Sequence, residues 1–130
     1  MGPLKGIKIL EFSGIGPGPY CGMLLADMGA DVIRVGRKGT EGVENKYDIH
    51  NRSKRSITAD LKNKDTISEI LKLIDQVDVV FEGYRPGVME KLGLGPDICL
   101  ERNSKLVYGR MTGWGQKGPM SNLAGHDINY

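Results

Sequence analysis

The sequence predicts an α/β fold: a doubly wound, Rossmann-like parallel sheet flanked by helices. Three observations carry this expectation. Short β-rich apolar runs alternate with stretches of helical apolar spacing along the chain. A glycine-rich turn joins the first run to the first helical stretch. The run Val77-Asp-Val-Val-Phe-Glu82 is almost continuously apolar, as a parallel strand buried on both faces should be.

The elements follow in order. Ile7-Lys-Ile-Leu-Glu-Phe12 reads as the first strand. Ser13-Gly-Ile-Gly-Pro-Gly-Pro19 is the turn after it. Tyr20, Met23, Leu24, Leu25 and Met28 have helical spacing, with Pro19 suited to the first turn and Gly29 to the stop. Asp31-Val-Ile-Arg-Val35 is the second strand, and residues 36–55 form a polar loop. Ser56-Ile-Thr-Ala-Asp60 is a short strand. Asn63 or Asp65 caps the next helix, whose Ile67, Ile70, Leu71 and Ile74 line one face. After Val77–Glu82, two short helices are expected over 88–92 and 96–101, separated by Gly93-Leu-Gly95. Lys105-Leu-Val-Tyr-Gly-Arg-Met111 is the last strand, and the remainder reads as loop.

Composition sets bounds on function. A length of 130 residues suggests one domain, and 39% apolar with 26% charged residues is a soluble globular balance. The formal charge of +2 is too small to indicate a nucleic-acid or membrane binder. No run of apolar residues is long enough to span a bilayer, and the N-terminus lacks a signal-peptide pattern. A cytoplasmic protein is therefore expected, with a peroxisomal or mitochondrial setting open in a eukaryote. Cys21 and Cys99 have no metal-ligand spacing and read as two buried thiols. No metal or tightly held cofactor is expected.

The first turn is not a dinucleotide fingerprint. G-x-G-x-x-G from Gly14 would need glycine where Pro19 stands, and no acidic residue ends the second strand. Arg34, Arg37 and Lys38 lie there instead, which suits a phosphate rather than a ribose diol. The polar loop ends in Asn51-Arg-Ser-Lys-Arg55, so Arg52 and Lys54 form a second basic group that reads as part of an anion cradle. Gly83-Tyr84-Arg85 falls at the carboxyl end of a parallel strand, where such folds bind ligands. Of the two histidines, His50 reads as surface. His126 follows a glycine-rich run and reads as an acid/base group.

Several motifs in register resemble a family. Leu4–Phe12, Leu25–Val35, Asn51–Lys62, Glu82–Pro96 and Arg110–Pro119 together resemble the family III CoA-transferases. Gly125-His-Asp-Ile-Asn-Tyr130, with the turn at 13–19, resembles the α-methylacyl-CoA racemase branch. The resemblance implies that residues 1–130 are the N-terminal portion of a large CoA-binding domain, with the small domain and the C-terminal part absent. It implies an acyl-CoA substrate, an interlocked homodimer, and epimerisation of 2-methylacyl-CoA thioesters. His126 would be one catalytic acid/base, with the partner Asp beyond residue 130, so the chain alone should be inactive. Ile15, Gly16 and Pro17 would follow the pantetheine. Arg37, Lys38, Arg52, Lys54, Tyr84, Arg85, Lys91 and Gly125 complete the expected CoA contacts. Two alternatives stand beside this: a family III CoA-transferase moving CoA between carboxylic acids, and a non-catalytic CoA- or nucleotide-binding module.

Overall fold

The computed structural model describes residues 2–12, 14–37 and 47–126. Five strands form one sheet: β1 (Lys8–Phe12), β2 (Asp31–Arg37), β3 (Arg55–Ala59), β4 (Val79–Glu82) and β5 (Val107–Arg110). Their order is β3-β2-β1-β4-β5, and every neighbouring pair is parallel. The chain winds outward from β1 in one direction, then returns to β1's other side with β4. The reversal of strand order therefore falls between β1 and β4, the place where open α/β sheets bind ligands.

The helices are α1 (Pro17–Asp27), α2 (Lys64–Ile74), α3 (Val88–Lys91) and α4 (Pro96–Arg102), with one 3-10 turn at Ile49–Asn51. The side chain of Asn63 caps α2, accepting from the amides of Asp65 and Thr66. Such a cap stabilises a helix by about 1 kcal/mol. Gly29 ends α1 at φ 96°, a left-handed conformation that a side chain would resist. The segment 111–126 carries turns and bends but no helix or strand, as its composition suggests.

Alternation along the strands splits the core. Leu10, Phe12, Val35 and Val80 point toward Ile70 and Ile74 of α2, Met89 of α3 and Cys99 of α4. Ile9, Val32 and Phe81 point the other way, against Ala26 of α1 and Ala30. One sheet face therefore carries three helices and the other carries α1.

The apolar set of α1 is divided between core and surface. Of the apolar set Tyr20, Met23, Leu24, Leu25 and Met28, Met23 is buried and Leu25 packs against the core, whereas Tyr20, Leu24 and Met28 are exposed. The buried positions of α1 are Gly18, Gly22, Met23 and Ala26. A stripe of small residues at i, i+4 and i+8 lets the helix approach β1 closely, which large side chains would prevent. What occupies the space below Gly22 is a charged pair, described next.

Candidate functional site

Two cavities open at the carboxyl ends of the strands, on either side of Tyr84. The larger, about 660 Å³, lies past β2 and β3 and includes Arg37, Ala59, Leu61, Lys62, Tyr84 and Leu92. The smaller, about 290 Å³, lies past β1 and β4, with Ile15, Tyr84, Arg85, Met111, Gly125 and His126 in its wall. Tyr84 borders both. Its burial pushes the phenol pKa up; the Glu82 carboxylate raises it further and the Arg37 guanidinium opposes the rise. The phenol thus feels both the buried Glu82 carboxylate and the Arg37 cation of the larger cavity.

The turn that bears Tyr84 is pinned from below. Glu82, the last residue of β4, is buried. One carboxylate oxygen accepts from the Tyr84 amide at 2.7 Å and the other from Arg110 Nε at 3.1 Å. Arg110 also pairs with Glu90, at 2.8 Å. Burial raises the pKa of Glu82 against the opposing effect of these two hydrogen bonds, while Arg110 lowers that of Glu90. Beyond the turn, the Arg85 guanidinium donates to the carbonyl of Asn122, tying the turn to the segment that carries His126. Trp114 Nε1 donates to the Ala124 carbonyl at 3.1 Å, folding that segment over itself. His126 is exposed, at the end of the described residues. No carboxylate lines the smaller cavity among the described residues.

The expected site residues distribute unevenly. Ile15, Tyr84, Arg85, Gly125 and His126 come together in the smaller cavity, and Arg37 joins Tyr84 at the larger. Gly16 and Pro17 sit in the turn that opens α1 but border neither cavity. Lys38 falls outside the described residues. Lys91 is exposed on α3 and lines neither cavity.

The second basic group is paired with carboxylates and lines neither cavity. Arg52 turns to the surface of α1 and pairs with both oxygens of Asp27. Lys54 is buried: its ammonium donates to Glu11 at 2.7 Å and to the Pro19 carbonyl at 2.9 Å, with side-chain exposures of 1% for Lys54 and 0% for Glu11. The physical reason lies in β1. Glu11 points into the sheet face under α1 and needs a cation there. That requirement holds Lys54 away from solvent and from either cavity. Burial raises the pKa of Glu11, against the lowering influence of Lys54.

Other residues at the site were not singled out by the sequence. Asp60, Leu61 and Lys62 follow β3 and reach the larger cavity; Thr112, Ser121 and Leu123 reach the smaller. For the first group a signal existed. They sit at the carboxyl end of a strand expected to be parallel, the same rule that drew attention to Tyr84. For the second none did, because an irregular segment has no period to place it. Among the described residues no group of three or more His, Cys, Asp or Glu could hold a metal ion. No helix among them is long and apolar enough to cross a membrane.

The family model for CoA-transferase family III matches residues 4–130. The chain is 48% identical over 127 residues to the α-methylacyl-CoA racemase of Mus musculus, covering 98% of this chain and 32% of that protein. It is 39% identical over 139 residues to a probable fatty acyl-CoA transferase of Mycobacterium tuberculosis, covering 97% of this chain and 35% of that protein. A crystal structure of the mycobacterial protein superposes with a TM-score of 0.89 at 40% identity, over 98% of this chain and 38% of that one. The chain thus spans about one third of the length of the curated relatives it matches.

Proposed function

The chain belongs to CoA-transferase family III, and from that premise we propose that it supplies the CoA-binding part of an enzyme acting on acyl-CoA thioesters. The observation that carries this reading is the pair of cavities sharing the Tyr84 ring. Arg37 and Lys62, against the one carboxylate of Asp60, leave the larger with a positive balance, which suits the phosphates of a nucleotide. The smaller brings Gly125 and His126 to Ile15 and Met111, which suits a thioester with an apolar chain. CoA is long enough to pass the ring and occupy both.

The finer reading is epimerisation of 2-methylacyl-CoA thioesters. His126 would remove the α-proton, and donors around the glycine-rich wall would hold the enolate oxygen. Returning the proton to the opposite face needs a second acid. The described wall of the smaller cavity has no carboxylate, so that acid comes from outside these residues. If that acid belongs to a part of the enzyme beyond this chain, the chain should exchange the α-proton without inverting the centre. CoA transfer is the second reading, favoured by the mycobacterial relative named a probable fatty acyl-CoA transferase.

Titration calorimetry of CoA and 3′-dephospho-CoA tests the CoA reading. Loss of the 3′-phosphate should weaken binding by about tenfold or more, as a charge-assisted contact disappears. The Arg37→Ala, Lys62→Ala double variant should erase that difference. Absence of binding by either ligand would sink the reading for this chain. In deuterated water, exchange of the α-proton of a 2-methylacyl-CoA that is lost in His126→Asn supports epimerisation. CoA binding without exchange turns the choice toward transfer.

A further inference from the structure

Glu82 makes three hydrogen bonds that meet at one strand end. Its carboxylate accepts from the Tyr84 amide at 2.7 Å and from Arg110 Nε at 3.1 Å, and its backbone carbonyl accepts from the Met111 amide at 2.9 Å. The first sets the turn that forms the wall between the cavities. The other two set the start of the segment that runs to His126. Arg110 is itself held at its far end by Glu90. Register explains the convergence: Glu82 and Arg110 are partners at the ends of β4 and β5. A second link closes the loop, since Arg85 in the turn donates to the Asn122 carbonyl in the segment. Leu123 is in turn bonded through its amide to Met120, at 2.8 Å.

We propose that Glu82, oriented by Arg110, is a positioning residue that locks the Tyr84 turn and the 111–126 segment into one unit, so that the two cavities keep a fixed geometry relative to each other. This rests on the reading that one CoA thioester occupies both cavities. The carboxylate form matters because both oxygens accept. A carboxamide has a single acceptor oxygen, so Glu82→Gln must turn an NH₂ toward either the Tyr84 amide or Arg110, setting donor against donor. A hydrogen bond to a charged group is lost on one side in either orientation.

The test is amide hydrogen exchange resolved at Tyr84, Met111 and Leu123, in the wild-type chain and in Glu82→Gln. All three amides should exchange about tenfold faster or more in the variant, while Leu10 and Val32 in the central strands keep their rates. A faster Tyr84 with an unchanged Leu123 would show that Glu82 supports its own turn only, and would overturn the proposal. Should Glu82→Gln fail to fold, Arg110→Lys keeps a cation beside the buried carboxylate but cannot span both Glu82 and Glu90. It should show the same pattern at smaller amplitude, and an unchanged Leu123 would again refute the coupling. CoA titration separates this inference from the functional reading. If the wild-type chain does not bind CoA, the ligand assignment fails while exchange still decides the coupling. If it binds, Glu82→Gln should weaken binding about tenfold, and should add nothing once Tyr84→Ala is present. Additive losses would mean that Glu82 does not act through Tyr84.

Discussion

Replacing Lys54 with methionine removes the cation under α1 while keeping most of its volume. Glu11 is then a buried carboxylate with no ammonium beside it, and one of its oxygens already lacks a hydrogen-bond partner. Breaking one side of a buried pair costs about 3–5 kcal/mol. A chain of this size has about 6–20 kcal/mol in total, so the variant should still fold. With a urea dependence near 2 kcal/mol per molar, the unfolding midpoint should fall by about 2 M at pH 8. The loss depends on pH, and its sign follows from Glu11. Burial already holds that carboxyl above its ordinary range, and Lys54 opposes the shift through its hydrogen bond and charge. Without Lys54 the folded-state pKa rises further. A carboxyl raised in the folded state favours folding below its unfolded pKa, and that contribution is lost as pH rises through the folded value. The penalty of Lys54→Met should therefore be smaller at pH 5 than at pH 8. Urea unfolding followed by circular dichroism at both values measures it. Equal penalties at the two pH values, or less than about 1 kcal/mol at pH 8, would refute the argument.

Three further outcomes are expected. A Cβ at Gly22 would lie 2.0 Å from a Glu11 oxygen and 2.8 Å from the Lys54 ammonium; Gly22→Ala should thus destabilise the chain by about 1–3 kcal/mol in thermal unfolding, although alanine favours helices. Asn63→Ala removes the α2 cap and should cost about 1 kcal/mol by denaturant titration, whereas Asn63→Asp should cost little. Burial pushes the Cys99 thiol up to about 11, and its sulfur donates to the Leu94 carbonyl at 3.3 Å. With a thiol reagent at pH 8, half-buried Cys21 should therefore be modified first and Cys99 only as fast as the fold opens; equal rates would contradict that burial.

The fold was legible because apolar periodicity and parallel topology leave few arrangements. Val77–Glu82 announced a strand buried on both faces, and Ile67, Ile70, Leu71 and Ile74 announced the face of α2. For α1 the apolar set was legible only in part: Met23 and Leu25 face the core, but Gly18, Gly22 and Ala26 make the close approach and leave Tyr20, Leu24 and Met28 outside. At the site, Tyr84 and Arg85 were legible from their place after a strand. Lys54 was not, since its counter-ion lies 43 residues earlier in the chain. The missed signal was Glu11 itself, an acid inside an apolar strand, for which some buried cation had to exist. Glu82 posed the same question, and Arg110 answers it at the adjacent strand end.

The unequal clothing of the sheet has a consequence for how the molecule breathes. Lifting α1 uncovers the smaller apolar cluster, and it also returns Glu11 and Lys54 to water. Rehydration of those two ions refunds part of the apolar surface exposed. The opposite face is apolar around Leu10, Phe12 and Val80, and it has its own buried acid in Glu82, whose Arg110 partner reaches Glu90 of α3. Departure of α1 is one partial opening that leaves β2, β1 and β4 joined beneath it. The glycine-rich turn with Ile15 travels with that helix, so this opening loosens the smaller cavity on the side of β1.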